Sequence, residues 1–406
     1  MRRPSVVTVS YLVSWDERRT MEITDVTVVP LSDPVPEEKR HRTDLGTKVK
    51  SDAALVLVEA DEYIGIGASL GSPPVVKAVV ENELAPLLVG EDPFYTGRLW
   101  EKMYAGSRWK PSLERGYSQP REDRRGITME AISGVDIALW DLKGKLLDQP
   151  VYKVLGAVRD SIRAYASGGW APGEEAETEL RGYVEQGFDA AKMRVVGGDG
   201  FTIANTVTRV ESARRGVGDA DLMVDAHGSL DVSTAIRLAR RLESFDLSWF
   251  EEPVSPDDHA GTARVRDATE IPIATGEREF TRFDFQSLFD HGALDIAQPD
   301  LARAGGITET VRIAAMASAR GLRVAPHAWG SGVLFAASIH AAMAIPNCHV
   351  LEVSMAHMPM LFELFTEEFD IRDGRVHAPD RPGLGFTLRD DVQERFEYQP
   401  GPEYVF

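Results

Sequence analysis

Cysteine is all but absent: Cys348 stands alone in 406 residues. That excludes an intramolecular disulfide and any Cys-based metal cluster, and the expected compartment is a reducing cytoplasm. Long apolar runs are missing as well. No uninterrupted stretch reaches the roughly 18 residues that a bilayer-spanning helix needs. Basic residues are outnumbered, 45 Lys and Arg against 64 Asp and Glu, and the formal net charge is −19. A phosphate backbone wants the opposite sign, so a nucleic-acid partner is not expected. A small anionic substrate is not excluded, because a bound divalent cation and a few Lys or Arg reverse the field locally.

The rest of the composition is ordinary for a soluble globular enzyme, at 43% hydrophobic and 27% charged. The length suits one large domain plus a smaller one. Arg2 and Arg3 precede a mildly apolar stretch, PSVVTVSYLVSW. Ser5, Thr8, Ser10 and Ser14 interrupt it and no small-residue cleavage site follows, which disfavours an export signal. Residues 1–20 are expected to be a flexible extension, with structure starting near Met21.

From Met21 the pattern is EITDVTVVPL, followed by a polar, charged segment from Ser32 to Gly46. Thr47–Ala60 and Tyr63–Ala68 read as strands, 74–103 as helix and 107–126 as a charged loop. This is α+β, not a βαβ repeat. Gly65, Gly67 and Gly71 do not form a dinucleotide fingerprint, since no acidic residue closes a following βαβ unit. Residues 128–147 carry apolar positions at helical spacing, and Gln149-Pro150 ends that helix.

Strand candidates then alternate with helices such as VSTAIRLARRLESF and ITETVRIAAMASARG. The strands are Ser161–Ser167, Ala190–Val195, Asp221–Ala226, Ser248–Pro253, Ile271–Gly276, Ala293–Gln298, Arg323–His327 and His349–Val353. Such alternation predicts an α/β fold, a closed parallel (β/α)8-type barrel. The expected boundaries are an α+β capping domain over 21–150, the barrel over 151–368, and a segment over 369–406 that returns to the cap.

Three acids fall at equal intervals: Asp225 in MVDAHG, Glu251 in WFEEP and Glu277 in IATGE. Each ends an apolar run, and the interval fits one strand, one helix and two loops. Acids at successive strand ends converge at the barrel mouth. Converging carboxylates repel, and oxygen-only ligands favour Mg²⁺. Strand alternation turns Glu252 away from such a cation, beside it but not on it.

Further polar groups sit at the same strand ends: Lys192 and Arg194 two apart on the second, His227 two after Asp225, Asp300 on the sixth, His327 on the seventh and Glu352 on the eighth. Singly, most of them are more readily a solvated charge or a satisfied structural residue. Together, their shared end of the barrel favours chemistry. A cation on three carboxylates also binds a substrate carboxylate, which allows removal of the proton alpha to it. His327 suits the general base and Asp300 its orienting partner. Lys192 and Arg194 suit developing negative charge. Glu352, if neutral, could donate a hydrogen bond to the substrate.

At this point the chain resembles the enolase superfamily, and within it the mandelate racemase branch. The resemblance rests on ISGVDIALWDLKGK, KMR at 192–194, VDAHG, FEEP, TGE, AQPDLARAGGIT, APHAWG and the closing PGLG. It implies Asp225, Glu251 and Glu277 as Mg²⁺ ligands, Asp300 and His327 as a base dyad, and Glu352 near the substrate carboxylate. It also implies cap loops that close over the substrate, here the Ser32–Gly46 segment and the loop near 107–126. A homo-oligomer of even number is expected.

One departure matters. The founding racemase has Lys-x-Lys on the second strand, and here the second position is Arg194. Guanidinium stays protonated, so it clamps an anion better than it accepts a proton. The expected activity is therefore dehydration of an aldonate or aldarate to a 2-keto-3-deoxy sugar acid. His327 could serve both steps of a syn elimination; His227 could supply the acid in an anti elimination, or be structural. Racemisation, epimerisation or cycloisomerisation of another carboxylate is the alternative. A silent protein that kept the fold is the third reading, disfavoured by the intact set of acids.

Overall fold

The structure, a computed structural model, describes residues 21–406 apart from positions 41, 44 and 199. The expected extension over 1–20 lies outside the described residues.

The first strands are β1 (Ile23–Pro34), β2 (Arg42–Thr43), β3 (Gly46–Lys48), β4 (Lys50–Ala60) and β5 (Tyr63–Ser69). An antiparallel sheet runs in the order β1-β4-β5. Its central strand, β4, is buried on both faces, which explains its near-continuous run of Ala, Val and Leu. Ala54, Val56, Val58 and Ala60 pack into the cap's own core. Ala53 and Leu55 face the other way and join the core shared with the barrel. The cap is thus bound to the barrel by the strand at its centre.

The helix expected over 74–103 is broken. It consists of α1 (Pro73–Val79), a π turn at Val80–Leu84, α2 (Ala85–Leu88) and α3 (Thr96–Ala105). Gly90, at φ +83°, and Pro93 lie in the break, where neither favours continued helix. The loop expected over 107–126 contains α4 (Trp109–Glu114). The long helix α5 (Ile127–Leu146) lies against β5, and a Cβ on Gly67 would collide with the Gly134 carbonyl oxygen. Glycine at 67 is what lets strand and helix approach so closely.

The barrel strands are β6 (Ser161–Gly168), β7 (Ala190–Arg194), β8 (Asp221–Asp225), β9 (Leu247–Glu251), β10 (Ile273–Thr275), β11 (Ile296–Ala297), β12 (Arg323–Val324) and β13 (Leu351–Ser354). They pair in parallel in that order, and β13 closes on β6 with Glu352 opposite Tyr165. The seam between β12 and β13 is thinner, a single parallel bridge from Val324 to Cys348. Three intervening helices start on side-chain caps, from Thr202, Asp231 and Asp258. Each cap satisfies a backbone N–H that the first helical turn leaves open.

The C-terminal segment does not return directly to the cap. It first forms a hairpin, β14 (Ile371–Arg372) and β15 (Arg375–His377), whose second strand pairs antiparallel with β6 of the barrel. Beyond it, the Leu384 N–H donates to Asp141 Oδ1 of α5 at 2.7 Å. The chain then reaches the cap's first strand, where the Ser32 N–H donates to the Phe396 carbonyl at 3.0 Å. Finally β16 (Tyr404–Val405) pairs antiparallel with β3. Among the described residues, no helix is long and apolar enough to cross a membrane.

Candidate active site

The barrel interior is built in layers by strand alternation. Its floor is an apolar cluster with one residue per strand: Tyr165, Ala190, Met223, Trp249, Ala274, Ile296, Ala325 and Val350. Two residues further on, the strands present Ser167, Lys192, Asp225, Glu251, Gly276, Gln298, His327 and Glu352. The polar layer thus follows from the same period that fills the floor. Gly276 is the gap in it. Its φ is +129°, and a Cβ there would stand 2.7 Å from the Phe285 ring, so the turn that presents Glu277 needs glycine.

Lys192 occupies the centre, buried. Its Nζ lies 2.5 Å from Glu251 Oε1, 3.0 Å from Glu352 Oε1 and 3.7 Å from Asp225 Oδ2. Burial alone would lower its pKa, yet the facing carboxylates hold it well above the ordinary value. Glu251 answers in kind. Burial pushes its carboxyl up to about 7, against the pull of Lys192. Its other oxygen accepts from Trp249 Nε1 and from Gln298 Nε2, each at 2.8 Å.

Asp225 is tied to the second cation of the KMR motif. Arg194 Nη1 donates to Asp225 Oδ2 at 2.7 Å, and the His227 N–H donates to Oδ1 at the same distance. Burial works against ionisation here, but Arg194 and Lys192 hold the carboxyl below its usual range. Glu277 stands between two imidazoles. His227 Nε2 is 3.7 Å from Oε1, and His327 Nε2 is 3.6 Å from Oε2. His327 Nδ1 in turn lies 2.6 Å from Asp300 Oδ2. Burial would lower the His327 pKa, but Glu277, Glu352 and Asp300 raise it to about 10.

Glu352 departs from expectation. A neutral acid there would need its carboxyl raised. Burial does push that way, but Lys192, His327 and the Ala328 N–H bring it down to about 2. The N–H reaches Oε2 at 2.9 Å, a contact that favours the ionised form.

Glu252 departs too. The strand ends at Glu251, and Glu252 has φ +37°, so alternation no longer governs where its side chain goes. The carboxylate turns back toward the site. A ligand atom from each of His227, Glu252 and Glu277 lies within 4.8 Å of the others. One oxygen of Glu252 takes Arg278 Nη2 at 2.6 Å; the other, Oε1, is buried without a hydrogen-bond partner among the described residues. His227, Glu252 and Glu277, with that orphaned oxygen among them, offer a donor set that fits a divalent cation; Asp225 lines the same cavity, and Glu251 would join them by releasing Lys192.

All nine residues expected at the site except Glu251 and Asp300 line one cavity of about 390 Å³, a volume suited to a small molecule. Glu251 and Asp300 sit just behind it, on Lys192 and His327. The cap supplies the roof: Asp33, Thr43, Leu45, Lys48, Ser51 and Asp52, joined by Glu403 and Tyr404 from the chain end. The expected cap loop is therefore present, whereas none of residues 107–126 lines the cavity. Sequence reasoning missed Gln298, although AQPD places it two before Asp300 and hence on the same face. It also missed Glu403 and Tyr404, for which no local signal exists.

Two family models cover most of the chain. Residues 24–156 match the mandelate racemase / muconate lactonizing enzyme N-terminal domain. Residues 175–392 match the enolase C-terminal domain-like family. An arabinonate dehydratase of Saccharolobus solfataricus is 35% identical over 83% of this chain and 88% of its own length. A D-galactarolactone cycloisomerase of Agrobacterium fabrum is 33% identical over 86% of this chain and 92% of its own. Among solved structures, a racemase from Streptomyces coelicolor A3(2) with bound magnesium superposes with a TM-score of 0.78 at 31% identity, covering 92% of this chain and 98% of that one. Cap, barrel and motif order agree with these matches, and the chain belongs to the mandelate racemase and muconate lactonizing enzyme family of the enolase superfamily.

Proposed function

We propose that this protein is a Mg²⁺-dependent acid-sugar dehydratase that converts an aldonate or aldarate into a 2-keto-3-deoxy sugar acid. The observation that carries the reading is the pair of imidazoles on either side of Glu277, one on each oxygen. Dehydration needs a base for the alpha proton and an acid for the departing hydroxyl, and two separated imidazoles meet that need. The arabinonate dehydratase relative supports the same reaction class.

Asp225, Glu251 and Glu277 would hold the cation, with Glu252 Oε1 as an additional oxygen. Bound Mg²⁺ supplies positive charge where the substrate carboxylate gains electron density. The chain's own residues do the rest. In its neutral form His327 takes the alpha proton on Nε2, while Asp300 on Nδ1 fixes the ring. Arg194 and Lys192 present their charge to the substrate's carboxylate end. The electron pair left at the alpha carbon forms a double bond to the beta carbon as the beta C–O bond breaks. The leaving hydroxide takes a proton from His227 and departs as water. The resulting enol tautomerises to the keto acid.

A second reading, cycloisomerisation of a sugar-acid lactone, is favoured by the Agrobacterium relative. A keto-acid assay with Mg²⁺ and a panel of aldonates and aldarates separates the two. Keto acid from one or two members, abolished by EDTA, is the expected result. Silence across the panel overturns dehydration, and alpha-proton exchange in D₂O is the test for the isomerase reading.

A further inference from the structure

The roof of the cavity is acidic. Asp33, Asp52 and Glu403 line it, against a single lining cation, Lys48, among the described roof residues. Lys48 is drawn to the chain end, 3.7 Å from Glu403 Oε2 and 3.5 Å from the Tyr404 hydroxyl. Asp52 is satisfied: its Oδ2 takes Lys50 Nζ at 2.8 Å, and its Oδ1 accepts from the Ser32 hydroxyl at 2.7 Å. Asp33 differs. It is only 8% exposed, it lines the cavity, and its carboxylate has no hydrogen-bond or ion-pair partner among the described residues. The guanidinium groups on the cavity wall come from the barrel and are already paired, Arg194 with Asp225 at 2.7 Å. Arg278 is on Glu252 at 2.6 Å and Arg303 on Glu130 at 2.9 Å.

A carboxylate only accepts hydrogen bonds. Asp33 suits hydroxyl donors and opposes a second substrate carboxylate, which would meet a like charge where water is largely excluded. We infer that Asp33 selects substrates whose far end is hydroxylated and uncharged, so that the substrates are aldonates and not aldarates. The inference rests on the sugar-acid reading above and narrows it.

The test uses the full chain with Mg²⁺. Binding of six-carbon aldonates and aldarates is measured by calorimetry on the His327→Asn protein, where turnover does not interfere, and kcat/KM is measured on the native protein. Aldonates should be favoured by tenfold or more. Asp33→Asn should shrink that ratio by about tenfold, because the amide can donate to a carboxylate. Glu403→Gln should shift it in the same direction by less. A ratio is internal to each protein, so partial misfolding does not mimic the effect. Native preference for aldarates, or a ratio unmoved by Asp33→Asn, overturns the inference. Preferential aldonate binding without any keto acid from the native protein overturns dehydration but retains the role of Asp33. Binding of neither class overturns both.

Discussion

Asp300 and His327 are joined twice, by a parallel bridge between their backbones and by the 2.6 Å contact between Oδ2 and Nδ1. The double tie fixes both the position and the rotation of the imidazole, leaving Nε2 directed at Glu277 and the cavity.

The dyad makes the first prediction. His327→Asn should abolish turnover yet retain Mg²⁺ binding, measured by titration of the metal-free protein. Asp300→Asn should lower kcat by about 10²–10⁴-fold, the range for losing a correctly held acid–base group, with a smaller change in KM. Near-normal turnover in His327→Asn would remove it as the base.

Metal affinity separates the acids. Glu277→Gln should weaken Mg²⁺ about tenfold or more, and Glu252→Gln by less, since one of its oxygens is already given to Arg278. Unchanged affinity in Glu277→Gln would take it off the ligand set.

Lys192 is the buried counter-charge for Glu251, Glu352 and Asp225. Lys192→Met should destabilise the metal-free protein by about 3–5 kcal/mol, as removing one partner of a buried pair does. Added Mg²⁺ should then raise the Tm of the variant more than that of the native protein. Equal shifts would show that the cation and the ammonium do not balance the same charges.

Acid stability turns on a residue far from catalysis. His340 is buried and neutral: its Nδ1 accepts from the Tyr152 N–H at 3.0 Å and its Nε2 donates to the Leu384 carbonyl at 2.9 Å. A second proton would have to face an N–H. Burial lowers its pKa from 6.5 to about 4. The unfolded chain therefore binds more protons between those values, and unfolding free energy should fall as pH drops through that window. The loss by pH 4 is ~3 kcal/mol from this group. His340→Gln should flatten the pH dependence in denaturant titrations, and an unchanged slope would assign it elsewhere.

Much of this site was legible because barrel strands have period 2. Once Ala190 or Met223 is placed on the floor, Lys192 and Asp225 must stand above it. Glu252 escaped because the rule holds only while the backbone is extended, and φ turns positive one residue past β9. The state of Glu352 escaped because alternation places a carboxyl without saying which charges surround it; Lys192, 160 positions earlier, decides that. The broken helix over 74–103 was signalled by Gly90 and Pro93, but the apolar spacing on either side reads as continuous. The roof was partly visible in the polar, charged segment after Ser32. Its other half could not be seen, since Tyr404 reaches Lys48 across 356 positions.

That last pairing bears on how the protein is made. A ribosome delivers β3 early and β16 only after all the barrel strands. The polar layer of the barrel can therefore be in place while the cover still lacks the strand that pairs with β3. Truncation before Glu403 would likewise leave β3 paired with β2 alone among the described strands and take Glu403 and Tyr404 out of the roof.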